Sequence, residues 1–315
     1  LLAALISGVT GIMPWIRDSF ELLFFSRIIY GIALGLATTL NTAVVADFFH
    51  GKERVTAMGI QAASIGAGMV FITTVAGKAG AVEYRQASWL NFLGFLAFAV
   101  IMICLPNQHR EGKTSGAIRL NREVWITSGL AFLEFFFLIT FSTNIAMHLS
   151  GALEENSTVS GILTGAFSGI QIVAGFILEY ITKWTGKLTL SAAMLSFSIG
   201  ACFLILFPSS LPMLFTGALF CGFSQGIFIP TGMVNVANAV DTTSCAMASA
   251  VFTCAMSLGQ FLSPTILNKA TGTLLGEITT GNVFIIAAFG MAISAFLAAL
   301  WKLSSNQKLY KGGLR

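Results

Sequence analysis

The sequence predicts an all-α membrane protein, a polytopic bundle of ten transmembrane helices arranged in two halves. Three observations carry this. Hydrophobic residues make up 56% of the 315-residue chain and charged residues only 10%, against about 25% charged in a water-soluble domain. The apolar residues fall in continuous runs of roughly the 20 residues that a bilayer crossing needs, not in the alternating segments of about ten residues that build membrane barrels. The basic residues crowd into every second loop, as the positive-inside rule requires. Mean hydropathy is +0.84, and the 32 Gly and 28 Phe suit helices that pack closely in lipid.

The ten runs span 1–16, 22–46, 55–77, 88–105, 124–147, 159–181, 188–207, 211–234, 245–267 and 282–302. The first is short and reads as cut at its front. With the turn at 47–54 placed in the cytoplasm, the inside loops hold twelve basic residues: Lys52, Arg54, Arg110, Lys113, Arg119, Arg122, Lys183, Lys187, Lys302, Lys308, Lys311 and Arg315. The outside loops hold four, Arg17, Lys78, Arg85 and Lys269, and Arg27 is left inside a span. Residues 106–123 (PNQHREGKTSGAIRLNRE) are the longest and most basic polar stretch. They read as a cytoplasmic linker between a partial first half of four spans (1–105) and a second half of six (124–302), followed by a cytoplasmic tail (303–315). The alternative is simply a long cytoplasmic loop.

A charge inside a membrane-length run is expensive and needs a reason. Arg27 is such a charge, followed by Gly31 and Gly35, then Asp47 and a charged turn with Lys52, Glu53 and Arg54. A faint repeat accompanies it. Gly31-x3-Gly35 precedes Ala57-Met58-Gly59, and Gly222-x3-Gly226 precedes Ala246-Met247-Ala248, at second-glycine-to-alanine distances of 22 and 20 residues. Repeated halves are common in secondary transporters.

Leu23-x3-Arg27-x2-Tyr30-Gly31-x-Ala33 resembles the fourth-helix signature of the major facilitator superfamily of secondary transporters, with Tyr30 where Gln is usual. Asp47-Phe48-Phe49 with Lys52-Glu53-Arg54 and Ala57-Met58-Gly59 resembles the cytoplasmic turn that follows. Gly175, Glu179, Lys183, Gly186 and Lys187 resemble the second-half echo of the family's Gly–acid–basic–Gly–basic loop, with about one extra helical turn. Gly59, Gly68 and Gly77 fit the fifth-helix motif of drug–proton antiporters, but Ile72-Thr73 replaces its Gly-Pro, which argues against antiport specifically. The family has twelve helices, so the resemblance implies that this chain lacks the first two.

The resemblance also implies that spans two, five and eight line a central cavity. In span two, Arg27, Gly31, Thr38 and Asn41 share a stripe at helical spacing. In span five, Thr127, Glu134, Phe141 and His148 share a face with Asn144 at its edge. In span eight, Gln225, Asn235 and Asn238 are the polar positions, and Pro230 interrupts the helix. The expected pathway for substrate and proton is therefore Arg27, Thr38, Asn41, Glu134, Asn144, Gln225 and Asn235. Arg27 lies about 9 Å below the outer end of its span. It either holds an anionic group or tunes a proton carrier, or it is a structural cation snorkelling outward. Glu134, about 16 Å from the inner end of its span, is either a proton carrier partnered by Arg27 or a neutral carboxyl hydrogen-bonded to a neighbouring helix. Asp47, Lys52, Arg54, Glu179 and Lys183 are read as a cytoplasmic gate. The alternative is solvated loop charge, with Glu179 and Lys183 a surface pair at i,i+4. His148 reads as interfacial, Phe135–Phe137 as packing residues, and Asn156-Ser157-Thr158 as a formal glycosylation sequon.

No nucleophile elbow, zinc-protease motif, phosphate loop or dinucleotide fingerprint is present. The five cysteines form no CxxC pair. The expectation is a non-enzymatic, cofactor-free monomer in the cell membrane. It binds no nucleic acid and moves a small amphipathic or modestly anionic organic molecule by alternating access, coupled to H⁺, with efflux by antiport one of the directions left open. An uptake symporter of metabolites or organic anions is the alternative, and a membrane sensor or intramembrane enzyme is the alternative from another class.

Overall fold

A computed structural model describes residues 1–16, 19–49, 51–82, 89–104, 120–152, 157–241 and 244–312. They form ten α-helices: α1 (Leu2–Ile16), α2 (Phe20–Phe48), α3 (Gly51–Val82), α4 (Leu93–Cys104), α5 (Arg122–Ala152), α6 (Ser157–Thr185), α7 (Thr189–Leu206), α8 (Leu211–Asn238), α9 (Cys245–Leu275) and α10 (Thr280–Gly312). The described residues contain no strand. Six stretches are long and apolar enough to cross a membrane, one of which, Val159–Leu206, runs through both α6 and α7. Leu2–Pro14, Ala63–Ala76 and Trp89–Cys104 are shorter apolar helical segments.

Most helices outrun the apolar runs that announce them, because polar helix formers continue the backbone pattern past the greasy stretch. α10 is the clearest case. It continues through Gly312, where a separate tail from 303 was expected, since no glycine or proline interrupts Lys302–Lys311. α4 is shorter than its run: residues 89–92 form a 3₁₀ turn before it. Most of the linker, residues 105–119, lies outside the described residues, as does Asn156 of the sequon.

The six later helices share one core. Phe135, Phe141, Phe197, Phe228, Phe252 and Phe284 are fully buried there, and Phe141 stacks on Phe167 at 4.8 Å. Phe135 and Phe136 thus face the bundle interior, and Phe137 covers Gly290. Phe176, Phe261, Phe289 and Phe296 are exposed on the outside, the inverted dressing of a bundle whose surroundings are apolar.

The two groups of helices meet chiefly where α3 runs along α6, the most extensive pairing in the fold, with further contacts of α2 on α9 and α3 on α8. Small residues make this possible. A Cβ at Gly66 of α3 would sit 3.1 Å from the Ser168 carbonyl oxygen of α6, and one at Gly165 of α6 would sit 3.1 Å from Thr74 Oγ1 of α3. Between apolar helices in lipid, close packing of this kind supplies the association energy.

Candidate functional site

A cavity of about 200 Å³ opens where the two groups meet. α2 contributes Thr38 and Asn41, and α3 contributes Gln61 and Ile65. Across from them stand Gln171 of α6, Gln225, Gly226, Ile229, Pro230 and Met233 of α8, and Thr253 and Met256 of α9. Gln171 Nε2 donates to Gln225 Oε1 at 3.0 Å, tying two of these helices together at the cavity wall. Glycine sets that wall. A Cβ at Gly222 of α8 would collide with the Phe167 carbonyl oxygen of α6, and one at Gly226 would lie 2.9 Å from Gln171 Cα. Only glycine lets α8 approach α6 this closely. None of the described lining residues carries a charge. The site offers amide and hydroxyl partners on an apolar, methionine-bearing surface.

Thr38, Asn41 and Gln225 are the expected pathway residues that reach this cavity. Gln61, Gln171 and Thr253 join them unforeseen. The signal for the two glutamines was present, an amide in the middle of an apolar run, but they sit outside spans two, five and eight.

Glu134 is elsewhere. It is fully enclosed on α5, and its Oε1 accepts a 2.6 Å hydrogen bond from Ser224 Oγ of α8. Its Oε2 has no protein partner. Ser224 precedes cavity-lining Gln225, and one residue is about 100° of helix rotation, so α8 itself stands between Glu134 and the cavity. Arg27 is not its partner. The guanidinium is exposed on α2 and lies over the Tyr30 ring, 5.9 Å from its centroid. Depth along each span matched the two residues, but the rotational setting of α5 turns Glu134 toward α8.

Asn144 turns back onto its own helix, donating to the Thr140 carbonyl and Thr143 Oγ1 at 3.1 Å each. Asn235 lies half-buried on α8, beyond the cavity. Thr127, Glu134, Phe141 and His148 do share one buried face of α5. His148 is buried rather than interfacial: its Nδ1 is 2.9 Å from Thr280 Oγ1, and its ring meets Phe284 edge-on. Glu179 and Lys183 pair with each other at 3.2 Å on the exposed side of α6, not across the two groups. The side chains of Asp47, Lys52 and Arg54 lie outside the described residues. No group of His, Cys, Asp or Glu among the described residues could hold a metal ion.

Residues 1–142 and 124–311 match the family model of the Major Facilitator Superfamily. Multidrug resistance protein 1 of Bacillus subtilis (strain 168) is 25% identical over 325 residues, covering 98% of this chain and 80% of that protein. Quinolone resistance protein NorA of Staphylococcus aureus (strain COL) is 24% identical over 306 residues, covering 93% of this chain and 75% of that protein. The crystal structure of the human organic anion transporter MFSD10 (TETRAN) matches with a TM-score of 0.74 at 18% identity, over 94% of this chain and 75% of that one, a likeness of fold alone. The apolar helices, the cavity between two helical groups and the family match agree: the chain is an integral membrane protein of the Major Facilitator Superfamily, a family of transporters and not of enzymes.

Proposed function

We propose that the protein is a proton-coupled secondary transporter that exports a small amphipathic organic molecule. Its two halves, 1–105 and 124–302, rock about the cavity so that it opens alternately to each side of a cell membrane. The linker 106–123 and the C-terminus are cytoplasmic, and the working unit is a monomer. The observation that carries this reading is the position of the cavity. Its walls come from α2 and α3 on one side and from α6, α8 and α9 on the other, so relative motion of the two groups must open or close it.

The lining suits a molecule with an aromatic body and a few polar groups. Methionine and aliphatic side chains adapt to varied shapes, and the amides of Asn41, Gln61, Gln171 and Gln225 orient polar substituents. The names of two relatives, a multidrug resistance protein and a quinolone resistance protein, make a quinolone the natural first probe. With no charge on the described lining, coupling falls to Glu134. One oxygen is held by Ser224 and the other has no protein partner. A proton can therefore join or leave without breaking a second contact, and ionisable groups at such depth commonly serve proton relays.

The test is uptake of a fluorescent quinolone into proteoliposomes. An acid-interior gradient should drive accumulation by the wild type and not by Glu134→Gln. Accumulation driven only by an acid exterior would mean symport, and gradient-independent accumulation would remove proton coupling.

A further inference from the structure

We infer that Glu134 exchanges its proton along the seam between α5 and α8, with a cleft at Asn121, Asn238 and Asp241, and not through the central cavity. This rests on Glu134 being the proton carrier. Counted from Ser224, the cavity-lining residues of α8 (Gln225, Gly226, Ile229, Pro230, Met233) lie between about 100° and 240° round the helix. Ser224, which holds Glu134, is on the opposite face. The substrate site and the carboxyl are thus on two sides of one helix.

The Glu134 side of α8 carries a polar stripe. Thr231, Asn235 and Asn238 follow Ser224 at 7, 11 and 14 residues, within about 40° of its direction. On α5, Thr127 lies seven residues before Glu134, on the same face and buried. The helices run antiparallel here, because Glu134 touches Ser224 while Leu120 and Asn121 before α5 share a cleft with Asn238 and Asp241 at the end of α8. That cleft holds about 410 Å³ and is open. From Glu134 to Asn121 and from Ser224 to Asn238 is about 20 Å along either helix, so both strips join the same two points.

Midway, Thr231 Oγ1 on α8 is buried without a protein partner, as is Glu134 Oε2 at the head of the seam. Buried polar atoms are almost always satisfied by protein or by ordered water, so these two unpartnered oxygens mark places for water. Phe228, fully buried and lying between Ser224 and Thr231 along α8, sets the slow step. On the outer side of Glu134, Phe141 of the same α5 face stacks on Phe167 of α6.

Among the described residues, the titratable group on α8 near Glu134 is Cys221, a fully buried thiol. α6 brings Glu179, Tyr180 and Lys183 only at its far, exposed end, and α7 brings Cys202 on an outer face. α9 carries Cys245 buried at its first residue and Cys254 and Lys269 exposed, and α10 brings Lys302, which pairs at 3.7 Å with Glu123. His148 lies four turns up α5 against Thr280. None of these competes for the proton on the seam.

The probe is deuterium exchange of the Glu134 carboxyl, followed by infrared spectroscopy after mixing reconstituted protein into D₂O, with the band assigned by its loss in Glu134→Gln. Thr231→Val, which keeps the shape and removes the hydroxyl, should slow exchange about tenfold, and Thr231→Ser should restore it. Phe228→Ala should speed exchange about tenfold. Asn238→Leu at the exposed mouth gives the same slowing if Thr231→Val does not fold. Exchange at the wild-type rate in both Thr231→Val and Asn238→Leu, or slowing by Gln225→Leu alone, overturns the seam route. Full gradient-driven quinolone uptake by Glu134→Gln instead removes the carrier, whatever the exchange rates show.

Discussion

Gly222→Ala adds one methyl group, and the structure puts it in an impossible place. The new Cβ would fall on the Phe167 carbonyl oxygen, 2.5 Å from Ile170 Cγ2 and 2.8 Å from the Phe167 carbonyl carbon. Ile170 has a rotatable side chain, but the carbonyl belongs to the backbone of α6 and cannot swing aside. The two helices must therefore separate, taking the Gln171–Gln225 bond and the cavity wall with them. Overpacking costs about 1–3 kcal/mol, and the rigid obstacle places this case at the upper end. At roughly 2–4 °C per kcal/mol for a chain of this size class, the midpoint of thermal unfolding should fall by about 6–12 °C. Gly31→Ala is the matched control. It sits in the same Gly-x3-Gly pattern, but its Cβ would meet nothing within 4 Å, and alanine is the better helix former by about 1 kcal/mol. It should leave stability unchanged or slightly raised. Fluorescence-detected size-exclusion chromatography after heating reads both variants. A Gly222→Ala protein as heat-stable as the wild type, or a Gly31→Ala protein more damaged than it, would refute the packing argument.

Ser224→Ala leaves the buried Glu134 carboxyl with neither oxygen bonded. It should destabilise by about 1–3 kcal/mol, measured as the same thermal shift, and Ser224→Thr should recover part of the loss. Glu179→Gln breaks an exposed i,i+4 pair worth about 0.3–0.5 kcal/mol. It should leave thermal stability and quinolone uptake unchanged, whereas a cytoplasmic gate would show as a loss of uptake.

The bundle was legible because lipid imposes a coarse rule. Long apolar runs must be helices, and a run's length gives its place. Depth was legible too, since each residue adds a fixed rise. What a run does not carry is its rotation relative to its neighbours. Arg27 and Glu134 therefore looked paired by depth, while the packing of α5 sends one to Ser224 and leaves the other over Tyr30. The Gly-x3-Gly pairs teach the same lesson. Gly222 and Gly226 press against α6, whereas Gly31 and Gly35 face open space. The pattern states a capacity for close approach, and only the fold names the partner. Gln61 and Gln171 lie outside the helices that the family resemblance places at the cavity, and the signal they carry is the more general one, that an amide in an apolar run needs a polar surrounding.

The cavity between the two helical groups should be reached alternately from both sides of the membrane. Gln225→Cys tests it directly, in a protein whose exposed Cys104, Cys202 and Cys254 are replaced by serine, labelled in oriented vesicles by a membrane-impermeant maleimide. Labelling is expected from either side, with a quinolone slowing both reactions. Labelling confined to one side under every gradient, or none from either, would contradict alternating access.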